Sequence, residues 1–137
     1  MLTKEQRADL AETLASPWGA VALICDGRRV DLQVQRERGP SITYRVMTYI
    51  DGKFRGSWCK GDTPEAKFLR KRVAPLTSPA RRKEAEKALG KRWVAKQPFY
   101  TATHTFWHPD WPNGKAAINH LCKACESVEI APEAAAP

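Results

Sequence analysis

The chain has 137 residues and carries 23 Lys and Arg against 15 Asp and Glu, a formal net charge of +8. With 42% hydrophobic and 28% charged residues it has the material for one domain-sized core, which excludes wholesale disorder. It contains no stretch of roughly 20 apolar residues that would span a membrane, and its first residues lack the apolar run of a secretory signal. Four cysteines are too few for a disulfide scaffold, and the expected setting is a cytoplasm.

In chain order, Thr3 to Ala15 reads as a helix, with Thr3 and Gln6 in the capping-box spacing and Leu10 and Leu14 on one face. Ser16-Pro17 ends it. Ala20 to Arg36 is a hairpin around Asp26-Gly27, a pair that favours the two-residue turn with positive φ at both positions. That turn predicts a register of Leu23 with Val30 and Val21 with Leu32, apolar on one face and mostly polar on the other.

Ile42 to Ile50 is the next strand, with Ile42, Tyr44, Val46 and Ile50 on one face. Asp51-Gly52 turns it back into Lys53 to Cys59. A three-residue loop with a glycine bulge is expected here, because it puts Phe54 and Trp58 on the apolar face. Thr63-Pro64-Glu65 is a helix start, with Phe68, Leu69 and Val73 as the apolar residues and Arg70-Lys71-Arg72 at the end of the helix. Ser78-Pro79 starts another, which closes at Gly90. Phe99 to Phe106 reads as a strand, His108 to Gly114 as a loop, Lys115 to Cys125 as a helix, and Ser127 to Ile130 as a last strand. The expected fold is α+β: an antiparallel meander of four to six strands with three to four helices packed on it. It forms a single domain over residues 1–130, followed by a flexible tail at 131–137.

The chemistry-bearing residues give few motifs. His120, Cys122 and Cys125 form H-x-C-x-x-C, but no second ligand pair stands at a zinc-finger spacing. Cys122 and Cys125 share the stripe of Ile118 and Leu121, so they are expected to be core thiols, with no metal and no cofactor. His104, His108 and Asp110 lie near one another in sequence without an accompanying nucleophile. They leave open a small His/Asp-dependent hydrolase or nuclease.

The charge is the stronger signal. Lys53 to Lys96 holds 14 Lys and Arg against four Asp and Glu, while the rest of the chain is slightly acidic. Within that stretch Arg70, Lys71, Arg72, Arg81, Arg82, Lys83, Lys91 and Arg92 are expected to form one anion-binding surface. Trp93, Phe99 and Tyr100 stand beside them as stacking residues. The competing reading is a solvated face. The partner this composition fits is nucleic acid or a nucleoprotein complex, held by a non-enzymatic binding protein.

Three segments, YRVMTYIDGKFRGSWCKGD (Tyr44 to Asp62), TSPARRKEAEKALGKR (Thr77 to Arg92) and FWHPDWPNGKAAINHLCKACESVEI (Phe106 to Ile130), resemble small proteins encoded in bacteriophage and prophage genomes. The resemblance implies phage origin and a bacterial host cytoplasm. It also implies an accessory role of the anti-CRISPR kind, inhibiting a host defence system, or alternatively a structural or assembly role in the phage. It carries over no functional residue.

Overall fold

The computed structural model describes residues 1–132. The fold is α+β, with a five-stranded antiparallel sheet and a separate two-stranded sheet. The chain divides into two compact units, one formed by Met1–Arg70 with the residues from Trp107 onward, the other by Lys71–Phe106. Among the described residues, no helix is long and apolar enough to cross a membrane.

The first unit begins with α1 (Lys4–Thr13). Thr3 caps it as the sequence predicts: its hydroxyl accepts the Gln6 NH, and the Gln6 side chain accepts the Thr3 NH. Strands β1 (Ala20–Cys25) and β2 (Arg28–Arg36) form the expected hairpin, with Leu23 opposite Val30 and Val21 opposite Leu32. Asp26 and Gly27 take φ of 49° and 82°, the left-handed pair that this turn demands. Strand β3 (Tyr44–Ile50) extends the meander beside β2.

The turn after β3 differs from expectation. Asp51 and Gly52 both have positive φ, Ile50 bridges Lys53, and no bulge forms. The chain leaves the ladder there and winds into a 3-10 turn at Gly56–Lys60, which buries Trp58 and Cys59. Once out of the sheet, Phe54 and Trp58 are freed from strand parity and meet edge to face, with centroids 5.9 Å apart. Ile42 also lies beyond the ladder, which ends at the Arg36–Tyr44 pair, and it is exposed.

The helix expected after Thr63 is replaced by a 3-10 turn, Pro64–Phe68, and then strand β4 (Arg70–Pro75). Two forces favour this. Ending the turn at Phe68 buries both Phe68 and its neighbour Leu69. A helix would instead bring Lys67, Arg70 and Lys71 within one turn of each other, where like charges repel.

Strand β6 (Asp110–Trp111) occupies the stretch expected to be a loop. It pairs with β3 at one edge of the sheet, and β7 (Val128–Ile130) pairs with β1 at the other. Between them lies α5 (Gly114–Ala124), capped by the Asn113 side chain. Helix α5 packs on α1, and Gly114 comes so close to Leu14 that a Cβ there would strike its side chain.

The core of this unit joins Leu10 and Leu14 of α1, Leu23, Val30, Leu32, Val46 and Ile50 of the sheet, and Ile118 and Leu121 of α5. Each such buried side chain contributes about 1.5–3 kcal/mol relative to exposure. One polar pair sits inside this core: Trp111 Nε1 donates to Thr48 Oγ1 at 3.0 Å, which satisfies both groups. Cys125 is buried here as the stripe predicts, and Cys122 is half-buried against the core. Ala131, the first residue of the expected tail, is buried, and its NH donates to the Ala22 carbonyl. Residues 133–137 of that tail lie outside the described residues.

The second unit is built differently. It holds most of β4, then α2 (Pro79–Leu89), α3 (Lys91–Lys96), α4 (Pro98–Thr101) and most of β5 (Thr103–His108). Strand β5 pairs with β4. Helix α2 starts and ends where expected, capped by Ser78 and closed at Gly90. The strand expected from Phe99 starts later, because Pro98 opens a helical turn in which the Gln97 carbonyl accepts the NH groups of Tyr100 and Thr101. The buried residues of this unit are Thr77, Ala85 and Val94, so it encloses little.

A branched side chain at position 27 would have to adopt a φ near +82°. Gly27→Val is expected to destabilise the protein by about 1–2 kcal/mol or more. Urea unfolding checks this, and an unchanged midpoint would contradict the turn.

Candidate functional site

The two units handle charge in opposite ways. Lys71–Phe106 contains nine Lys and Arg and two Asp and Glu, a net of +7, whereas the rest of the chain holds 14 against 13. Nearly all the excess charge therefore sits in the second unit.

In the first unit several of the cations, Arg28, Arg29, Arg45, Lys67 and Arg70, meet carboxylates. Arg28 meets Asp51 at 2.8 Å and Glu65 at 3.4 Å, Arg29 meets Asp31 at 3.3 Å, and Lys67 meets Asp26 at 2.7 Å. The Asp26 carboxyl is held below the usual range chiefly by the Lys67 hydrogen bond, and the Glu65 carboxyl chiefly by a backbone hydrogen bond, with Arg28 adding to it. Asp110 is shared: Arg45 bonds its carboxylate, and Arg70 reaches its backbone oxygen at 2.8 Å and its carboxylate at 3.7 Å.

That arrangement decides where Arg70 belongs. It stands at the start of a strand, half-buried, with its guanidinium committed to Asp110. It is separated by unit from the other expected site residues. Lys71 and Arg72 follow it on β4, both exposed. They are strand residues rather than a helix end, so their side chains point to opposite faces.

Helix α2 also separates its basic run. Each residue turns about 100°, so Arg81 and Lys83 lie on opposite flanks. Arg82, between them, is half-buried and pairs with Glu86 at 3.8 Å, one helical turn on. On the Lys83 flank, Lys83, Glu86, Lys87 and Lys91 line a cavity of about 530 Å3. Lys91, Arg92 and Trp93 open α3, all exposed.

On the Arg81 flank the guanidinium lies over the Phe99 ring, 5.9 Å from its centroid. Here Leu76, Thr77, Ser78, Arg81, Phe99 and Ala102 line a second cavity of about 450 Å3. The structure thus brings Lys83 and Lys91 together and adds Lys87, which the sequence reading passed over although it stands four residues after Lys83. It sets Arg81 apart with an aromatic partner.

The histidines are distributed as unevenly. His120 Nε2 lies 2.8 Å from the Lys67 carbonyl oxygen, and its ring packs on Trp111, so it serves the fold. His104 is exposed on β5 in the second unit, while His108 and Asp110 belong to the first. His108 Nδ1 is 4.0 Å from an Asp110 oxygen, on a carboxylate that two arginines already share. Among the described residues, no group of three or more His, Cys, Asp or Glu is arranged to hold a metal ion. No family model, curated protein or solved structure matches the chain.

The thiols are free, and Cys25, Cys59 and Cys125 are buried. Burial pushes the Cys25 thiol up from its ordinary 9.0 to about 12, with further contributions from Cys125, Cys122 and Asp26. The native state therefore keeps this proton when the unfolded chain releases it. The resulting stability is intact below pH 9 and is lost as pH rises toward 12. Unfolding free energy measured from pH 8 to 11 should fall more steeply in the wild type than in Cys25→Ala. Parallel curves would contradict the burial argument.

Proposed function

We propose that the protein is a non-enzymatic binder of nucleic acid, free or within a nucleoprotein complex, and that residues 71–106 carry the binding. The observation that supports this reading is the segregation of charge: nine cations against two carboxylates in one small unit, beside a unit that is almost neutral. Solubility does not require such an excess in one place. A polyanion uses it directly, because each Lys or Arg that meets a phosphate releases condensed counterions.

Lys83, Lys87 and Lys91 line one cavity with a single carboxylate, Glu86, among them, a cationic excess that suits phosphates. Arg72, Arg92 and Lys96 are exposed in the same unit and extend its positive field. Exposed Trp93 and Phe99 add flat apolar surface to a charged one, the combination used for binding bases and backbone together. Together with the resemblance to phage-encoded proteins, this reading gives a host nucleoprotein complex as the target. The role would be that of a phage accessory factor of the anti-CRISPR kind, acting in the bacterial cytoplasm.

The test is salt-dependent binding of a fluorescent oligonucleotide. Log affinity should fall linearly with log salt, with a slope of about −0.7 to −0.9 per phosphate contact. Changing Lys83, Lys87 and Lys91 together to Gln should make the slope shallower by about 2 to 3 and leave the melting temperature within a few degrees of wild type. Wild-type protein that binds no nucleic acid at low salt, or a folded triple variant with full affinity, would remove the basis of the reading.

A further inference from the structure

We propose that the cavity beside Phe99 receives an unpaired nucleobase, so that the basic unit takes single-stranded rather than duplex nucleic acid. The inference rests on the nucleic-acid reading above and specifies its ligand.

The cavity has the chemistry for a flat aromatic group attached to an anion. Leu76, Phe99 and Ala102 supply apolar wall, and Phe99 keeps 60% of its surface exposed even with Arg81 over its ring. The hydroxyls in the lining also hold the local backbone, though the Ser78 proton and the Arg81 guanidinium stay available. The Thr77 hydroxyl donates to the Phe99 carbonyl at 2.8 Å, and the Ser78 hydroxyl accepts the Arg81 NH at 3.2 Å. What remains for a ligand is an aromatic face, aliphatic surface, a guanidinium and the Ser78 proton.

The site is also held in shape. The Leu76 NH donates to the Ala102 carbonyl at 3.0 Å, and the Ala102 NH donates to Pro98 at 2.8 Å. Tyr100 stands edge-on to Phe99, with centroids 4.9 Å apart and planes at 90°. These bonds fix both walls and the ring between them, so a stacked base meets a surface that needs little ordering.

Charge complementarity selects a nucleotide strand as the occupant. Arg81 lines the cavity itself, in a unit with a net charge of +7. A base paired within a duplex has both faces covered by its neighbours and would have to be flipped out to enter a pocket. An unpaired base is already free to stack. Stacking on the Phe99 ring does not distinguish bases, because every base has a π-face, so the site should accept every base with similar affinity.

The probes are a 12-nucleotide single strand as DNA and as RNA, the matching duplex, an abasic single strand of equal length and a mononucleotide, each measured by fluorescence anisotropy or competition. The single strand should bind at least tenfold more tightly than the duplex, the abasic strand or the mononucleotide. Phe99→Ala should weaken single-strand binding roughly five- to 100-fold while keeping the salt slope, because no phosphate contact is lost. Phe99→Trp should restore affinity. Comparing the DNA and RNA strands shows which sugar the site prefers, and tight base-dependent binding of either supports the proposal.

Duplex or abasic strand binding as tightly as the intact single strand would overturn the base pocket and leave the basic-face reading standing. A mononucleotide as tight as the strand would overturn the assignment to a strand. Absence of salt-dependent binding to any of these probes would overturn both readings. The abasic comparison uses wild-type protein, so a Phe99 variant that fails to fold does not remove the test.

Discussion

Electrostatic self-repulsion within residues 71–106 is the constraint around which this protein is built. Nine cations share a unit whose buried residues are Thr77, Ala85 and Val94. Like charges confined within one Debye length, about 10 Å at 0.1 M salt, raise the free energy of a compact state. Apolar burial on this scale offsets little of that cost. The Arg82–Glu86 pair relieves part of it, as does the stacking of Arg81 on Phe99, each worth a fraction of a kcal/mol to about 1 kcal/mol at an exposed site. An anion brought to this surface would relieve far more of it.

The other unit shows the opposite solution. The core of its five-stranded sheet packs with α1 and α5, and five of its cations meet acids that are placed by turns and strands. Asp51 closes the β3 turn and also holds Arg28, while Asp26 closes the β1–β2 turn and also holds Lys67 and the Ser127 NH. Asp110 gathers Arg45 and Arg70 at the edge strand β6. Here charge serves local geometry, and the turn residues that fix backbone shape also fix side chains from distant parts of the chain.

Much of this was legible in the sequence where local rules agree with packing. The Asp26-Gly27 turn determined the register of β1 and β2, and Thr3, Ser78 and Gly90 marked helix ends because caps act on neighbouring backbone groups. The region from Asp51 to Val73 was less legible. Trp58 and Phe68 are buried by 3-10 turns that leave the sheet, and neither strand parity nor helical periodicity describes that path. Strand β6 is two residues long, and its Trp111 bonds Thr48 on the adjacent strand β3, a contact between residues far apart in sequence. The basic character of the middle of the chain was plain from composition. Its separation into an Arg81–Phe99 flank and a Lys83–Lys87–Lys91 flank required the helix geometry, and the diversion of Arg70 to Asp110 required the tertiary fold.

The central claim is that residues 71–106 are the part of the molecule that an anionic strand stabilises. Amide hydrogen exchange with and without a saturating single-stranded oligonucleotide tests it most directly, because exchange reports local opening segment by segment. The account predicts slower exchange in Leu76 to Ala102 at low salt, fading as salt is raised, with strands β1 to β3 unchanged. Protection confined to the sheet unit, or no change in residues 71–106 under demonstrated saturation, would contradict it.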